Sequence, residues 1–354
     1  MHVEVCFNGE MLVSGLEKLR ISQFNLENFF VYMDYPLLTS LDQMTESEWQ
    51  KHSISNFENK SLLNIRAIAK CIRDINADVY ALCEVGGIES IQNFAKNFLA
   101  DEYRAFSIEG NSDRGIDLAY LVKANLAFQI DLRTHKDRSI DFIYPHEKQS
   151  VQGGYLDPKY QLKFSRDVLE LRLFKNSSEE PSLIVLNVHL KSQLDKDNID
   201  PQGKDRRKAE LEKLLEIYNE IYVGLNEKVP IVVAGDFNGI ASQYGTDPEF
   251  LSLRKKTTLQ DVFDLAEIPQ EQRVTQLQFA PSGKCWKKQF DYIFVSPNLQ
   301  KHVIASETFV YRFKDELGSE MSLPSTLNEK RKLASDHYPV VTTLSTIDMT
   351  KLTS

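Results

Sequence analysis

The sequence is poor in the features that define membrane-spanning and disulfide-rich proteins. Nowhere in its 354 residues do about 18 apolar residues run uninterrupted, so we expect no membrane span. The four cysteines are scattered, without a CxxC pair or the density of a disulfide scaffold, which favours free thiols in a reducing compartment. Because the first residues lack a basic stretch followed by an apolar one, we expect no secretory signal and a cytoplasmic location.

An excess of positive charge is also missing. The 42 Lys and Arg are outnumbered by 51 Asp and Glu, giving a net charge of −9, which excludes a general basic coat for nucleic acid but not a local positive groove. Hydrophobic residues make up 42% and charged residues 26%, as in an ordinary globular protein with a sizeable core. No internal repeat or low-complexity tract divides the chain, so one domain is the economical interpretation.

Apolar periodicity predicts both helices and short strands. Inward-facing residues at the spacing of a helix predict helices at 61–76, 88–99 and 204–222. Short apolar or alternating runs predict strands at 78–84, 118–122, 168–174, 183–188, 231–234, 290–295 and 340–344. Several strands follow one another without a helix, which favours mixed or antiparallel sheets with helices packed outside them. The polar segments 195–207 and 313–334 are predicted to be surface loops.

The strongest local signal is Gly-Asp-Phe-Asn-Gly at residues 235–239. It follows an apolar strand, so a tight turn would hold the carboxylate of Asp236 and the amide of Asn238 at a sheet edge, where they can meet a phosphate or a metal. The alternative is an Asx-turn, in which both side chains bond only nearby backbone.

A second signal is Ser-Asp-His-Tyr-Pro-Val at residues 335–340, before the last strand. Asp336 and His337 offer a metal-facing carboxylate and an imidazole that exchanges protons near neutral pH, although a capped turn is the alternative. Asp291 interrupts an otherwise apolar strand, and a buried carboxylate must be paired or metal-bound. His337 would be a suitable partner for it.

Polar groups also follow two other strands. Alternation in 186–192 puts Asn187, His189 and Lys191 on one face of a strand end, a set that fits an anionic substrate, unless this is a solvent-facing edge strand. Glu84 ends the apolar run 79–84, and Asn25 lies in the similar segment 24–28. A hard divalent cation takes such oxygen ligands, although a Glu after a strand is common without one.

In their serial order these residues resemble the endonuclease/exonuclease/phosphatase superfamily. The resemblance runs from about residue 21 to about residue 344 and rests on Asn25, Glu84, Arg166, His189, Asp236, Asn238, Asp291, Asp336 and His337. It implies a four-layered α/β sandwich: two packed, mostly antiparallel sheets flanked by helices, with the site at one end. Residues 1–20 would be an N-terminal extension, and residues 21–354 a single catalytic domain.

The resemblance also implies a role for each residue. Glu84 would be the main ligand of a Mg²⁺ or Mn²⁺ ion, helped by Asn25 and Asp336. Catalysis would use Asp236 and Asn238 on the attacking water, Asp291 to orient His337 on the phosphate, and His189 as a second imidazole. The segment 164–168 resembles the strand entry of deoxyribonuclease-like members, which places Arg166 near the phosphate, with Lys191 and Asn187 as further phosphate contacts.

Two positions leave the subclass open, and the acidic partner of His189 is a separate question. Many relatives carry Gln where this chain has Cys83, and many have an acidic residue where Gly239 stands. Asp117 is the expected acidic partner of His189, with a solvated turn as the alternative.

These expectations indicate a metal-dependent phosphodiesterase, with a nuclease acting on DNA or RNA as the leading hypothesis. The same core serves phosphoesterases of lipid headgroups, inositol phosphates and other small esters, which is the alternative. A catalytically silent scaffold is less favoured, because every expected catalytic position holds a competent residue. Basic clusters at 204–208, 255–256, 287–288 and 330–332 can line a polynucleotide groove or be solvated faces.

Overall fold

The computed structural model describes residues 18–33, 40–54, 56–157, 159–175, 178–195, 198–280 and 282–345. Residues 1–17 of the expected N-terminal extension lie outside these ranges, and the last three residues of that extension begin the first strand. Every helix in the described ranges is too short or too polar to span a lipid bilayer.

The described strands and helices follow one another in a mixed order. The strands are β1 (Lys18–Phe29), β2 (Val79–Val85), β3 (Tyr103–Ser107), β4 (Asp117–Lys123), β5 (Phe128–Thr134), β6 (Val168–Lys175), β7 (Leu183–His189), β8 (Ile231–Asp236), β9 (Gln260–Asp261), β10 (Gln276–Phe279), β11 (Cys285–Lys288), β12 (Asp291–Val295), β13 (Phe309–Val310) and β14 (Val340–Ser345). The helices are α1 (Glu46–Trp49), α2 (Leu62–Ile75), α3 (Gly87–Phe98), α4 (Pro145–Gln152), α5 (Lys204–Gly224), α6 (Leu251–Lys256), α7 (Val262–Leu265), α8 (Pro297–Gln300) and α9 (Leu327–Lys330).

The strands form two six-stranded sheets and a separate hairpin. The first sheet has the order β13-β14-β1-β2-β4-β3, the second has the order β5-β6-β7-β8-β12-β9, and β10 pairs with β11. The pairs β1/β2 and β7/β8 are parallel, whereas the other neighbouring strands are antiparallel. The prediction of mostly antiparallel sheets is therefore confirmed.

Apolar side chains fill the space between four layers. Between the two sheets, residues such as Ile21 and Ala81 of the first meet Leu171 and Val232 of the second. On the outer face of the first sheet lie α2 and α3, and on the outer face of the second lies α5. This helix–sheet–sheet–helix order is the predicted four-layered sandwich, and it leaves the strand ends as the place for a site.

Local signals explain where α2 begins and ends. The hydroxyl of Ser61 accepts a hydrogen bond from the backbone N–H of Asn64, which caps the first turn. The helix ends at Asn76, whose φ of +51° is left-handed, a conformation that Asn tolerates better than most residues. Ile68 and Ile72 are fully buried on the inner face. The helix predicted at 61–76 is confirmed within one residue at each end.

The other predicted helices and strands are also found, within about two residues of their predicted ends. The loop predictions need correction, because α5 begins inside the segment 195–207 and α9 lies inside 313–334. The periodicity argument did not predict β3, β5 or the β10–β11 hairpin, which are short or half-exposed strands.

Candidate active site

Strand polarity brings three predicted residues of the second sheet together. The strands β7 and β8 are parallel, and their register pairs the last residues, His189 and Asp236. Because β12 is antiparallel to β8, its first residue, Asp291, pairs with Asp236 from the other side. The three side chains are buried at one end of the sandwich.

The first sheet delivers its polar groups to the same end. The register of β1 and β2 pairs Asn25 with the residue before Glu84, and the amide of Asn25 donates a 3.0 Å hydrogen bond to Asp236 Oδ2 across the two sheets. Both strands bulge here, and Glu27, Asn28 and Glu84 have φ angles of +51°, +47° and +61°. Such left-handed residues cost of order 1–3 kcal/mol each and are concentrated at functional sites.

His337 and Asp291 form a buried pair. Nδ1 of His337 lies 2.7 Å from Oδ2 of Asp291, and both side chains are at most 5% exposed. Burial by itself lowers the pKa of His337, but the carboxylates of Asp291, Asp336 and Asp236 outweigh burial and raise that pKa well above its ordinary value. The neighbouring carboxylates therefore favour the protonated form of His337, and the bond to Asp291 holds its ring in a fixed orientation.

His189 is in the opposite protonation state. Burial, with the positive charges of Arg166 and His337, lowers the pKa of His189 well below its ordinary value, so its imidazole is neutral. Nε2 lies 3.6 Å from Asp236 Oδ2 and 3.9 Å from Glu84 Oε1.

The expected pairing of His189 with Asp117 is wrong. Among the described residues, the buried Nδ1 atom of His189 has no hydrogen-bond partner. Asp117 instead accepts a 2.8 Å hydrogen bond from the backbone N–H of Gly110, so its carboxylate closes a turn.

Asp236 divides its two oxygens between structure and chemistry. Oδ1 accepts a 2.8 Å hydrogen bond from the backbone N–H of Asn238, which is the Asx-turn foreseen as an alternative. Oδ2 lies 3.6 Å from Nε2 of His189 and 3.8 Å from Nε2 of His337, beyond direct hydrogen-bonding distance. A water, which both donates and accepts, can bridge such gaps. Burial raises the pKa of Asp236 to about 7.

The glycines of this motif are required by close packing. At Gly235, φ is +153° and a Cβ atom would lie 2.0 Å from the carbonyl oxygen of Val188 on the neighbouring strand. At Gly239, a Cβ atom would lie 2.4 Å from the ring of Phe250. The missing acidic side chain after the Gly-Asp-Phe-Asn piece therefore has a steric reason in this chain.

Among the described residues, one group of donors converges closely enough to hold a metal ion, and the predicted metal ligands form a second, looser group beside it. Asp236, Asp291 and His337 each offer one ligand atom, and these atoms lie within 4.8 Å of one another. Oδ1 of Asp291 is buried without a hydrogen-bond partner in the described structure, so its lone pairs are available to a metal ion. However, the 2.7 Å hydrogen bond between Asp291 and His337 already uses one atom of each.

The second group contains the predicted ligands Glu84, Asn25 and Asp336. Glu84 Oε2 accepts a 3.0 Å hydrogen bond from the backbone N–H of Asn28, and Oε1 lies 3.6 Å from Arg114. Asp336 lies 3.0 Å from Nζ of Lys330. Three carboxylates and an amide, once Glu27 is included, are the hard oxygen donors that Mg²⁺ takes.

Glu27 and Lys60 are members of this second group that the sequence argument did not name as site residues. Glu27 Oε2 accepts a 3.2 Å hydrogen bond from the backbone N–H of Asp336. The largely buried ammonium of Lys60 donates 2.7 Å to the carbonyl oxygen of Glu27 and lies 3.5 Å from its carboxylate. Burial and the charge of Asp336 raise the pKa of Glu27. Its two-residue spacing from Asn25 along one strand was the available signal.

Of the three predicted phosphate contacts, Arg166 and Lys191 line one cavity and Asn187 does not. Arg166 is 8% exposed, donates a 3.2 Å bond to the hydroxyl of Ser165, and lines a cavity of about 340 Å³ together with Arg114 and Lys191. The ammonium of Lys191 donates to the backbone carbonyls of residues 192 and 194, so it is already engaged. Arg114, Arg166 and Arg206 supply the guanidinium groups that line this cavity.

Asn187 lies deeper and requires a correction. Its fully buried amide donates 2.8 Å to the carbonyl of Leu82 and 3.3 Å to that of Ala119, both on the opposite sheet. Cys83 packs beside it, with Sγ 3.7 Å from Asn187 Oδ1. Alternation correctly put Asn187 and His189 on one face of the strand. Asn187, however, ties the two sheets together, and its amide does not face a phosphate.

The fold has counterparts among solved structures, although no protein-family model and no curated protein matches the sequence. TDP2 of D. rerio, solved in complex with a single-strand DNA product, is 15% identical over 93% of this chain and 99% of that chain, with a TM-score of 0.54. An endonuclease/exonuclease/phosphatase family protein from Bacteroides thetaiotaomicron is 14% identical over 93% and 98%, with a TM-score of 0.51. The endonuclease/exonuclease/phosphatase from Beutenbergia cavernae is 17% identical over 94% and 72%, also with a TM-score of 0.51. The chain therefore has the fold that its motifs predicted.

Proposed function

We propose that this chain hydrolyses phosphodiester bonds of nucleic acid with the help of a divalent cation. The observation that supports this most is the surroundings of Asp236 Oδ2, which lies 3.6 Å and 3.8 Å from two imidazoles whose pKa values are shifted in opposite directions by their environments. Groups whose environments push their pKa values apart are the usual mark of an acid and a base in one site.

The chain's own residues supply the proton transfers. Asp236, with a pKa that burial raises to about 7, takes a proton from the attacking water at neutral pH. His337, protonated and held by Asp291, donates a charged hydrogen bond to the phosphoryl group or the leaving oxygen. The neutral His189 orients the water or a phosphoryl oxygen through Nε2, and Arg166 binds the phosphate.

The oxygen donors beside these groups are of the type that a hard cation takes. Glu84, Asn25 and Asp336, with Glu27, would hold Mg²⁺ or Mn²⁺ through oxygen atoms, displacing the ammonium groups of the lysines now paired with them. When bound, the ion would neutralise charge on the phosphoryl oxygens and stabilise the leaving oxygen.

Nucleic acid is the substrate class that we propose. The D. rerio structure of the same fold contains a single-strand DNA product. Two of the four basic clusters, at 287–288 and 330–332, belong to segments that adjoin His337 and Asp336. In the cluster at 204–208, by contrast, Arg207 is fully buried against Glu249.

Cys71, Cys83 and Cys285 are free thiols, which supports the proposed reducing, cytoplasmic location.

The test compares the wild-type protein with Asp236→Asn on plasmid, single-stranded DNA, RNA and methyl p-nitrophenyl phosphate, with Mg²⁺ or EDTA. We expect the wild type to cleave at least one polynucleotide in Mg²⁺ and none in EDTA. Asp236→Asn should cleave at a roughly 10²–10⁴-fold lower rate. Asp261→Asn is the matched control, because Asp261 is equally buried but contacts Gln289 outside the site. Equal rates for wild type and Asp236→Asn would refute the proposal. Cleavage confined to the small diester would favour the small-ester alternative.

A further inference from the structure

The β10–β11 hairpin has two chemically different faces. Its register pairs Gln276 with Lys288 and Gln278 with Trp286, and cross-strand partners project to the same side. On the other side, Leu277 is buried in the core of the first sheet, with Phe279 and Cys285 packed against it. The apolar face therefore anchors the hairpin, and the polar face with Trp286 is presented outward.

The polar face adjoins the active site. The amide nitrogen of Gln276 lies 3.2 Å from Nε2 of His337. The amide of Gln278 donates 3.1 Å to Gln193, which in turn donates 3.1 Å to the backbone carbonyl of Asn238. Gln278 and Trp286 lie two residues along the hairpin from Gln276, a distance of about 7 Å. Trp286 therefore projects from the same side of the hairpin as Gln276, two residues farther from His337.

Trp286 is exposed and surrounded by unpaired positive charge. Its side chain is 38% exposed, whereas the second tryptophan, Trp49, is completely buried. The ammonium of Lys284 lies 5.2 Å from the centre of the indole ring. Across the residues that the structure describes, Lys284, Lys287 and Lys288 form no ion pair with a carboxylate. An exposed indole within a group of free ammonium groups suits a ligand that is both aromatic and anionic.

We propose that Trp286 is a stacking platform for a nucleobase of single-stranded nucleic acid, next to the phosphate that is cleaved. This inference rests on the proposed function and extends it from a polynucleotide in general to one whose bases are unstacked. A base in a duplex has its faces covered by neighbouring base pairs, so only an unpaired base can lie flat on the indole. Lys284, which lies over the indole, and Lys288, which projects to the same side of the hairpin as Trp286, would contact the phosphates on either side.

The first experiment measures cleavage of a single-stranded oligonucleotide and of methyl p-nitrophenyl phosphate, a diester without a nucleobase. We expect Trp286→Ala to lower oligonucleotide cleavage by roughly 5- to 150-fold, the cost of one lost base–aromatic contact. Its activity on the small diester stays within about twofold of the wild type. Trp286→Phe restores most of the loss. Tyr155→Ala, which removes an 86% exposed aromatic side chain outside the hairpin, is the matched control and leaves both activities unchanged.

The second experiment measures binding alone, in EDTA. Single-stranded DNA should quench the fluorescence of Trp286 over the constant background of Trp49, and labelled-oligonucleotide anisotropy should show that Trp286→Ala binds 5- to 150-fold more weakly. Trp286→Phe loses the quench but keeps the binding. Unchanged binding by Trp286→Ala, or equal affinity for duplex and single strand, would overturn the platform. If the wild type binds and is quenched but cleaves neither substrate, the proposed function fails and the platform stands. An equal loss of both activities in Trp286→Ala would mean that the hairpin only supports His337.

Discussion

The bond between Asp291 and His337 offers the sharpest test of the site. Asp291→Asn keeps the shape of the side chain but removes its negative charge. The amide then has no charge to stabilise the imidazolium, and its orientation decides whether it accepts from Nδ1 at all. Because Asp291 is the nearest of the three carboxylates that raise the pKa of His337, the variant has a lower pKa at His337 than the wild type.

The size of the effect follows from the type of bond. A hydrogen bond between charged partners contributes roughly 1.5–3 kcal/mol, and both partners here are at most 5% exposed, so solvent screening is small. If this stabilisation is lost where His337 faces the developing charge, kcat/KM falls by about 10- to 150-fold, since each 1.36 kcal/mol is tenfold. Complete removal of the imidazole in His337→Ala should cost more, roughly 10²–10⁴-fold.

The assay is the pH profile of kcat/KM for a single-stranded oligonucleotide. His337 acts in its protonated form, so activity is lost as pH rises through its pKa, and a lower pKa moves this alkaline limb to lower pH. Asp261→Asn, whose carboxylate is equally buried but does not touch His337, keeps the wild-type profile. An alkaline limb that stays in place in Asp291→Asn, in a variant that melts like the wild type, would refute the assignment of His337 as the charged donor.

Three further outcomes are expected. Glu84→Gln removes the main proposed cation ligand, so the Mg²⁺ concentration for half-maximal activity should rise. Loss of a residue that only hydrogen-bonds to a metal ligand costs roughly 10- to 100-fold, and we expect a larger rise here. An unchanged Mg²⁺ titration would contradict the ligand assignment. Arg207→Ala leaves the buried carboxylate of Glu249 unpaired and removes donors to two backbone carbonyls, so urea unfolding should show a loss of about 3–5 kcal/mol, and a loss below 1 kcal/mol would contradict this. Burial raises the pKa of Asp167 from 3.8 to about 7, so the native state keeps a proton that the unfolded chain releases, and stability falls as pH rises from about 4 to 7, by at most about 4 kcal/mol. The free energy of unfolding of Asp167→Asn should depend less on pH than that of the wild type, by this amount. Urea unfolding that shows the same change between pH 5 and pH 8 in both proteins would refute this.

The motifs predicted which side chains lie together at one end of the sandwich where strand ends fix their position. Glu84, His189, Asp236 and Asp291 each lie at or beside a strand end, and the strands that carry them either run parallel or begin at the same end of the sandwich. A carboxylate in a buried strand, such as Asp291, needed a partner, and the structure supplies His337 at 2.7 Å. This pair could be predicted from the sequence, because the need of a buried carboxylate for a partner follows from its own strand.

The same reasoning was weaker for residues whose neighbours come from other segments. Lys191 is bonded by carbonyls of its own loop, and Asn187 by carbonyls of the opposite sheet. Neither partner is visible in the alternation of one strand. Arg207 looked like part of a surface basic cluster, yet it is fully buried against Glu249, because α5 turns that residue toward the segment that follows β8.

By itself the sequence determined the chemical types of the site, the helix at 61–76 and the strands that lead to each polar end, because periodicity and turn residues act over a few neighbours. Only the tertiary structure decided in which direction the pKa of each imidazole shifts, which carboxylates lie close together, and that the hairpin carrying Trp286 adjoins His337. These properties depend on burial and on distances between segments far apart in the chain, and no local pattern encodes them.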